Sequence, residues 1–331
     1  MNQTRRTSMK VCLVGEGAQG VTHIGALKQL DDVEVVTLAG GIRADAETFA
    51  NTHGIEHVST DLEECLDRPG VEAVVITSPN QVHCEQSVLA LEKGKHVLLE
   101  LPMGLSLAES QRVADAEAKS GKVAMMCHTQ RFNPVMRKIH DDVRAGRLHL
   151  HHIVQQTYFF RRINENRFGT PRIWTDDLLW HQACHMLDMI YWILDDPDME
   201  AWGQCGPVHE TLKVPMDITI ALKSRDGCLV SAAQSFNHHG GIKGFYRFVG
   251  EEASYLSSKG GLEDHEGNQI EVSGPSGVEA QDGEFFAAIR EGRTALTSCT
   301  EVLPVMALID RVQRSMDGRD GAPSVGMVER Q

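Results

Sequence analysis

No stretch of the 331-residue chain reaches the ~18 consecutive apolar residues of a membrane-spanning helix, so none is expected to cross a bilayer. Met1 to Ser8 is polar, with Arg5 and Arg6 and no apolar segment behind them. It reads as a short frayed tail, not a signal peptide. The eight cysteines include no C-x-x-C pair, which argues against a structural zinc site or a disulfide framework. Reduced thiols in a cytoplasm fit better. Basic charge is also short: 32 Lys and Arg stand against 46 Asp and Glu, a net charge of −14. That disfavours nucleic acid and anionic membranes as partners, but leaves room for a local basic pocket. Internal repeats and low-complexity tracts are absent. What remains is a globular composition, 41% hydrophobic and 24% charged. The length suits two domains of ~150 residues each.

The first half alternates strand and helix. Apolar β-rich runs at 10–14, 33–39, 71–77, 96–100 and 123–127 are separated by helical patterns at 19–30, 44–53, 62–66, 82–93 and 107–120. Such repeats with short loops imply a doubly wound parallel sheet, expected over 9–127. From 128 to 331 the pattern changes. Helices are expected at 134–145, 178–194, 278–290 and 300–316. Strands at 153–160, 218–223, 228–236, 245–250 and 269–272 suit a mainly antiparallel sheet in an α+β domain.

Gly15-Glu16-Gly17-Ala18-Gln19-Gly20 is G-x-G-x-x-G between a strand and a helix, the context that makes it a dinucleotide fingerprint. Gly15 permits the turn, Gly17 admits the pyrophosphate and Gly20 lets helix and sheet approach, while the helix N-terminus offers its amides. The second strand ends in Leu38-Ala39-Gly40-Gly41-Ile42-Arg43, without the acid that would bind an NAD ribose. Arg43 could pair with a 2′-phosphate, which favours NADP over NAD; it also reads as a solvated residue opening a helix.

His181, His185 and Asp188 fall at i, i+4 and i+7, one face of a helix otherwise rich in Leu, Met and Ile. Three readings fit: a metal site, satisfied core histidines, or a catalytic histidine with the near-neutral pKa of a general base. Arg161, Arg162 and Arg172 gather with Tyr158 and Trp174 in an acidic chain, and guanidinium forks suit carboxylates.

Together these motifs resemble the Gfo/Idh/MocA oxidoreductase family over essentially the whole chain. The resemblance rests on G-x-G-x-x-G with His23, Ser78-Pro79-Asn80 with His83, Glu100-Leu101-Pro102, Arg131-Phe132-Asn133-Pro134 and His185-Met186-Leu187-Asp188. It implies that Ser78, Pro79, Asn80, His83, Glu100 and Pro102 belong to the cofactor site. Two departures stand out. Leu101 replaces the lysine of the family's E-K-P, and His181 replaces the first Asp of D-x-x-x-H-x-x-D. A narrower subgroup, the 4-carboxy-2-hydroxymuconate-6-semialdehyde dehydrogenases, is similar at Gln156–Arg162, Pro171–Asp176, Leu178–His185 and Cys127-His128-Thr129.

That likeness implies NADP-dependent oxidation of a cyclic hemiacetal to 2-pyrone-4,6-dicarboxylate, in the 4,5-cleavage of protocatechuate. His185 would be the base and His181 its helper. His128, Arg131, Tyr158, Arg161, Arg162, Arg172, Trp174 and Asp188 would bind a small dicarboxylate. No metal is then required, because the nicotinamide takes the hydride. By the same analogy the open face of the second sheet would serve a homodimer or a dimer of dimers. A dehydrogenase for another cyclic hydroxy acid, a dihydrodiol or a sugar, and a sensor that has lost catalysis, stay open as alternatives.

Overall fold

The last four residues of Met9–Val14, strand β1, are buried on both faces. Val11 and Leu13 enter one core, Cys12 and Val14 another. Burial on both faces marks a parallel strand covered by helices. The structure, a computed structural model, describes residues 8–166, 169–172 and 176–318. After β1 come α1 (Ala18–Leu27), β2 (Val33–Ala39), α2 (Arg43–His53), β3 (His57–Ser59) and α3 (Leu62–Leu66). Then follow β4 (Val71–Ile76), α4 (His83–Glu92), β5 (His96–Leu99), α5 (Leu107–Ser120) and β6 (Ala124–Met126). The six strands form a parallel sheet in the order β3-β2-β1-β4-β5-β6. The order reverses between β1 and β4, which opens a crevice at their C-terminal ends. The glycine loop and Ser78-Pro79-Asn80 both lie there.

The chain continues through α6 (Pro134–Arg144), β7 (Leu150–Tyr158), a π-helical turn at Leu178–Ala183 and α7 (Cys184–Leu194). Strands β8 (Glu200–Cys205), β9 (Asp217–Lys223), β10 (Leu229–Ser235), β11 (Lys243–Gly250), β12 (Ser254–Ser258), β13 (Gly261–Asp264) and β14 (Gln269–Ile270) follow. Helices α8 (Gly277–Glu291) and α9 (Cys299–Met316) close it. The second sheet runs β14-β13-β12-β11-β7-β10-β9-β8, antiparallel except for β7 with β10. Along β9 buried and open positions alternate, so one face packs on helices and the other is uncovered.

The closing helices are not confined to the second sheet. Phe285 and Phe286 of α8 share a core with Val11 and Leu13 of β1. Before α9, Thr297 exchanges bonds with Met126, N–H to carbonyl at 2.8 Å and hydroxyl to carbonyl at 2.6 Å. Four strands escaped the sequence pattern. β3 has three residues, β12 and β13 are Ser-, Gly- and acid-rich, and β8 places Gly203 where a side chain would strike Val312 and Met316. The expected single helix over 178–194 is a π turn joined to an α-helix. No helix among the described residues is long and apolar enough to cross a membrane.

Candidate active site

The glycine loop is shaped by close approach. Gly15 has φ of 101°, and a Cβ there would lie 2.9 Å from the backbone of Thr77 and Ser78. A Cβ on Gly20 would meet the Gly15 carbonyl at 2.4 Å, whereas Gly17 faces open space. Gly17 is the N-cap of α1 with no side chain on the first amides, and Ala18 is its first residue. Beside this cradle Asn80 is buried and its Oδ1 has no hydrogen-bond partner. An open cradle at a helix N-terminus with an orphaned acceptor alongside fits a dinucleotide. His83 braces the two neighbouring loops, its ring nitrogens 2.8 Å from the Pro102 carbonyl and 2.9 Å from that of Ser78. Burial lowers its pKa. Pro79 is the N-cap of a 3-10 turn, Asn80–Val82, that leads into α4.

The far end of the cradle differs from expectation. Arg43 bonds Glu47 at 2.8 Å with a side chain 64% exposed. An acid does stand after β2, supplied from the loop. Glu16 accepts from Gly41 N–H at 3.0 Å and from Ile42 N–H at 2.9 Å.

At the opposite end, Glu100 Oε1 accepts from the Gln19 amide at 2.8 Å and lies 3.1 Å from His23 Nε2. Its Oε2 accepts from Leu101 N–H at 3.1 Å. His23 Nδ1 is 2.8 Å from Asp282 of α8, and both side chains are fully buried. Carboxylates only accept, so both ring nitrogens of His23 carry hydrogen and the ring is an imidazolium. Burial opposes that charge, but Asp282 raises the His23 pKa well above its ordinary value. Burial likewise opposes the Glu100 charge, and the bond to His23 still brings its pKa down to about 2. His23, Glu100 and Cys127 place ligand-type atoms within 4.8 Å, but a doubly protonated ring has no lone pair for a metal. Leu101 is 3% exposed and offers no amine in the lysine position.

The histidine helix opens with Asp177 accepting from the N–H groups of Leu179 and Trp180, both at 2.7 Å. Gln182 N–H reaches back five residues to the Asp177 carbonyl. The wider turn joins the α-helix at Cys184, and His181 still lies close enough to His185 for the two charged forms to repel. His181 lies 3.8 Å from Asp176. His185, on α7, has no hydrogen-bond partner among the described residues and is partly exposed. Burial lowers the pKa of each, opposed at His185 by Glu100 and Asp188. Asp188 itself is fully buried and holds Arg131 at 2.6–3.1 Å. Arg131 also bonds Glu301 at 2.9 Å and is 3% exposed. Arg131 and Asp188, expected to touch substrate, are thus paired with each other. Next to them His128 has Nδ1 3.2 Å from Asp188 without hydrogen-bond geometry, and Nε2 has no partner. Burial brings its pKa to about 4, against the pull of Asp188.

The arginines do converge. Arg161 bonds Asp176 at 3.0 Å, and Arg172 bonds both its oxygens at 3.2 Å. Asp176 is 6% exposed and joins this pair to His181. Arg162 bonds the carbonyls of Arg161 and Phe236 at 2.7 and 3.0 Å and the Asn237 amide oxygen at 2.8 Å. No carboxylate among the described residues pairs with it. Tyr158 ends β7 with its ring 5.9 Å from that of His238. Trp174 lies outside the described residues.

Residues 9–128 match an oxidoreductase family with an NAD-binding Rossmann fold, and residues 134–276 match the C-terminal part of bacterial oxidoreductases. The chain is 36% identical over 313 residues to 4-carboxy-2-hydroxymuconate-6-semialdehyde dehydrogenase of Sphingobium sp., covering 93% of this chain and 99% of that one. It belongs to the Gfo/Idh/MocA oxidoreductases. The inositol 2-dehydrogenase of Paracoccus denitrificans is 27% identical over 255 residues, 74% of this chain and 72% of its own. The fold is shared with the WlbA dehydrogenase of Bordetella pertussis, solved with NADH and UDP-GlcNAcA. The TM-score is 0.83 at 19% identity, over 95% of this chain and 98% of that one.

Leu101 leaves no lysine amine at the E-K-P position, and among the described residues neither His185 nor His128 Nε2 has a hydrogen-bond partner. Four residues that shape the site were not picked out from sequence. Glu16, Asp176, Asp282 and Glu301 act through partners up to 259 positions away, and no spacing signals such pairs. Asp176, inside an arginine-rich motif, was the only one with a local clue.

Proposed function

We propose that the chain is a dehydrogenase for a small cyclic hydroxy dicarboxylate, the hemiacetal of 4-carboxy-2-hydroxymuconate-6-semialdehyde, and forms 2-pyrone-4,6-dicarboxylate. The observation that carries this reading is the unbalanced guanidinium of Arg162 beside the Arg161–Asp176–Arg172 cluster, which Asp176 joins to His181. Surplus positive charge on the arginine cluster suits an anionic substrate, and the imidazole of His185 suits an alcohol proton. The likeness to the Sphingobium enzyme supports the same substrate. Gly15, Gly17, Gly20 and Asn80 would hold the dinucleotide, which when bound supplies the hydride acceptor. The carbinol carbon of the hemiacetal loses a hydride, its hydroxyl proton passes to His185, and a lactone carbonyl forms. Glu100 and Asp188 favour the imidazolium so formed. Arg162 and the Asp176 cluster hold the carboxylates.

The uncovered face of the second sheet is the surface on which a second copy would pack, which sedimentation would test. The function is tested by incubating the protein with protocatechuate, its 4,5-dioxygenase and either dinucleotide. Reduced nicotinamide should appear together with the pyrone dicarboxylate. Its absence, with the dioxygenase active and dinucleotide bound, would favour a sensor, the reading that Leu101 supports.

A further inference from the structure

Glu16 is the x of the first Gly-x-Gly, and its side chain leaves the loop to reach the turn after β2. Its Oε1 lies 3.0 Å from Gly41 N and 2.9 Å from Ile42 N, and its Oε2 lies 3.0 Å from Gly41 N. The loop itself is tied to the same strand end by Gly15 N–H to the Ala39 carbonyl at 2.9 Å. Two successive amides at this turn form a small anion-binding concavity. In dinucleotide folds the adenosine ribose arrives at the end of the second strand. Here a carboxylate already occupies that concavity.

The turn has no room for an acid of its own at the first position. A Cβ on Gly40 would fall 2.3 Å from the Ala46 Cβ, whereas one on Gly41 would meet only Glu16 Oε1 at 3.7 Å. Arg43, the cation that could reward a 2′-phosphate, meets Glu47 one turn along α2 in an exposed pair that partly offsets its charge. We propose that Glu16 selects the dinucleotide, favouring NAD over NADP. A carboxylate fixed by two amides keeps lone pairs for the ribose hydroxyls of NAD. The 2′-phosphate of NADP would have to share the concavity with a like charge or displace it. The proposal rests on the dinucleotide site and not on the substrate assigned above.

The test is direct binding, so it needs no turnover. NAD and NADP are titrated calorimetrically into the full-length parent, Glu16→Gln and Glu16→Ala. Thermal unfolding confirms that each variant is folded. The parent should bind NAD more tightly than NADP. Both variants should shift that ratio toward NADP by about tenfold or more, the scale of one removed like-charge contact. Glu16→Gln keeps the side-chain length and an acceptor, so a shift there isolates the charge. A parent that binds NADP as tightly as NAD, or a ratio unchanged in both variants, would overturn the proposal. Failure of the folded parent to bind either dinucleotide would overturn the site as well. A binding parent that fails to oxidise the hemiacetal would touch only the substrate reading.

Discussion

His185→Asn separates the base from the scaffold. The imidazole makes no hydrogen bond within the described residues, so its removal orphans no partner. The cost in stability should stay within ~1 kcal/mol, since no buried network is broken. The cost in rate should be far larger. A positioned general base contributes roughly 10²–10⁴-fold, which at about 1.36 kcal/mol per decade is ~2.7–5.4 kcal/mol of barrier. The pH profile carries a second signature. His185 accepts a proton only when neutral, so kcat rises with pH through its pKa. Burial lowers that pKa from the ordinary 6.5, although Glu100 and Asp188 oppose the shift. The acidic limb should therefore have its midpoint below 6.5 in the parent and be missing in the variant. The assay is kcat and kcat/KM from about pH 5 to 9, with thermal unfolding of both proteins. A chelator should alter neither, because His23, the histidine nearest a ligand-like cluster, already has hydrogen on both nitrogens. Wild-type turnover in His185→Asn, or a limb that persists, would refute the assignment and turn attention to His128 and its unpartnered Nε2.

Arg131→Met should cost about 3–5 kcal/mol in denaturant unfolding, because it strands Asp188 as a buried, unpaired carboxylate; a loss below ~1 kcal/mol would show that Asp188 finds other support. The Asp282–His23–Glu100 cluster makes stability depend on pH at both flanks. The raised His23 pKa contributes stability that is complete below its ordinary 6.5 and lost as pH rises through the folded value. The depressed Glu100 pKa contributes above 4.5 and is lost as pH falls toward about 2, so His23→Gln should flatten both flanks of a stability–pH curve. Arg162→Ala should raise KM for a dicarboxylate by about tenfold and leave the affinity for the dinucleotide alone; an unchanged KM would place that guanidinium outside the substrate pocket.

Much of the first sheet could be read from local pattern. Its strands are apolar on both faces, its helices have caps such as Ser106 and Gly121, and these signals act within a few residues. β2, α3 and α5 fall at the expected residues for that reason. The second sheet was less legible, because short strands such as β12 and β13 owe their state to their neighbours in the sheet and not to their own composition. The π turn was invisible for a related reason: bonds reaching back five or four residues both join backbone groups that every residue type carries.

Chemistry divided along the same line. The glycine motif between a strand and a helix pointed to a dinucleotide by local spacing, whereas the histidines at 181 and 185 left a metal site, core packing and a base all open until the wider set of motifs resembled an oxidoreductase family. Which groups are free and which are consumed was settled by pairing across the fold. Arg131 is held by Asp188, 57 positions away, while His185 has no hydrogen bond among the described residues. The end of β2 has no acid in the chain direction but has one in space, because the loop turns Glu16 onto the amides of Gly41 and Ile42. Charge acts through distance in three dimensions, and a linear pattern records that distance only within a helix turn or along a strand.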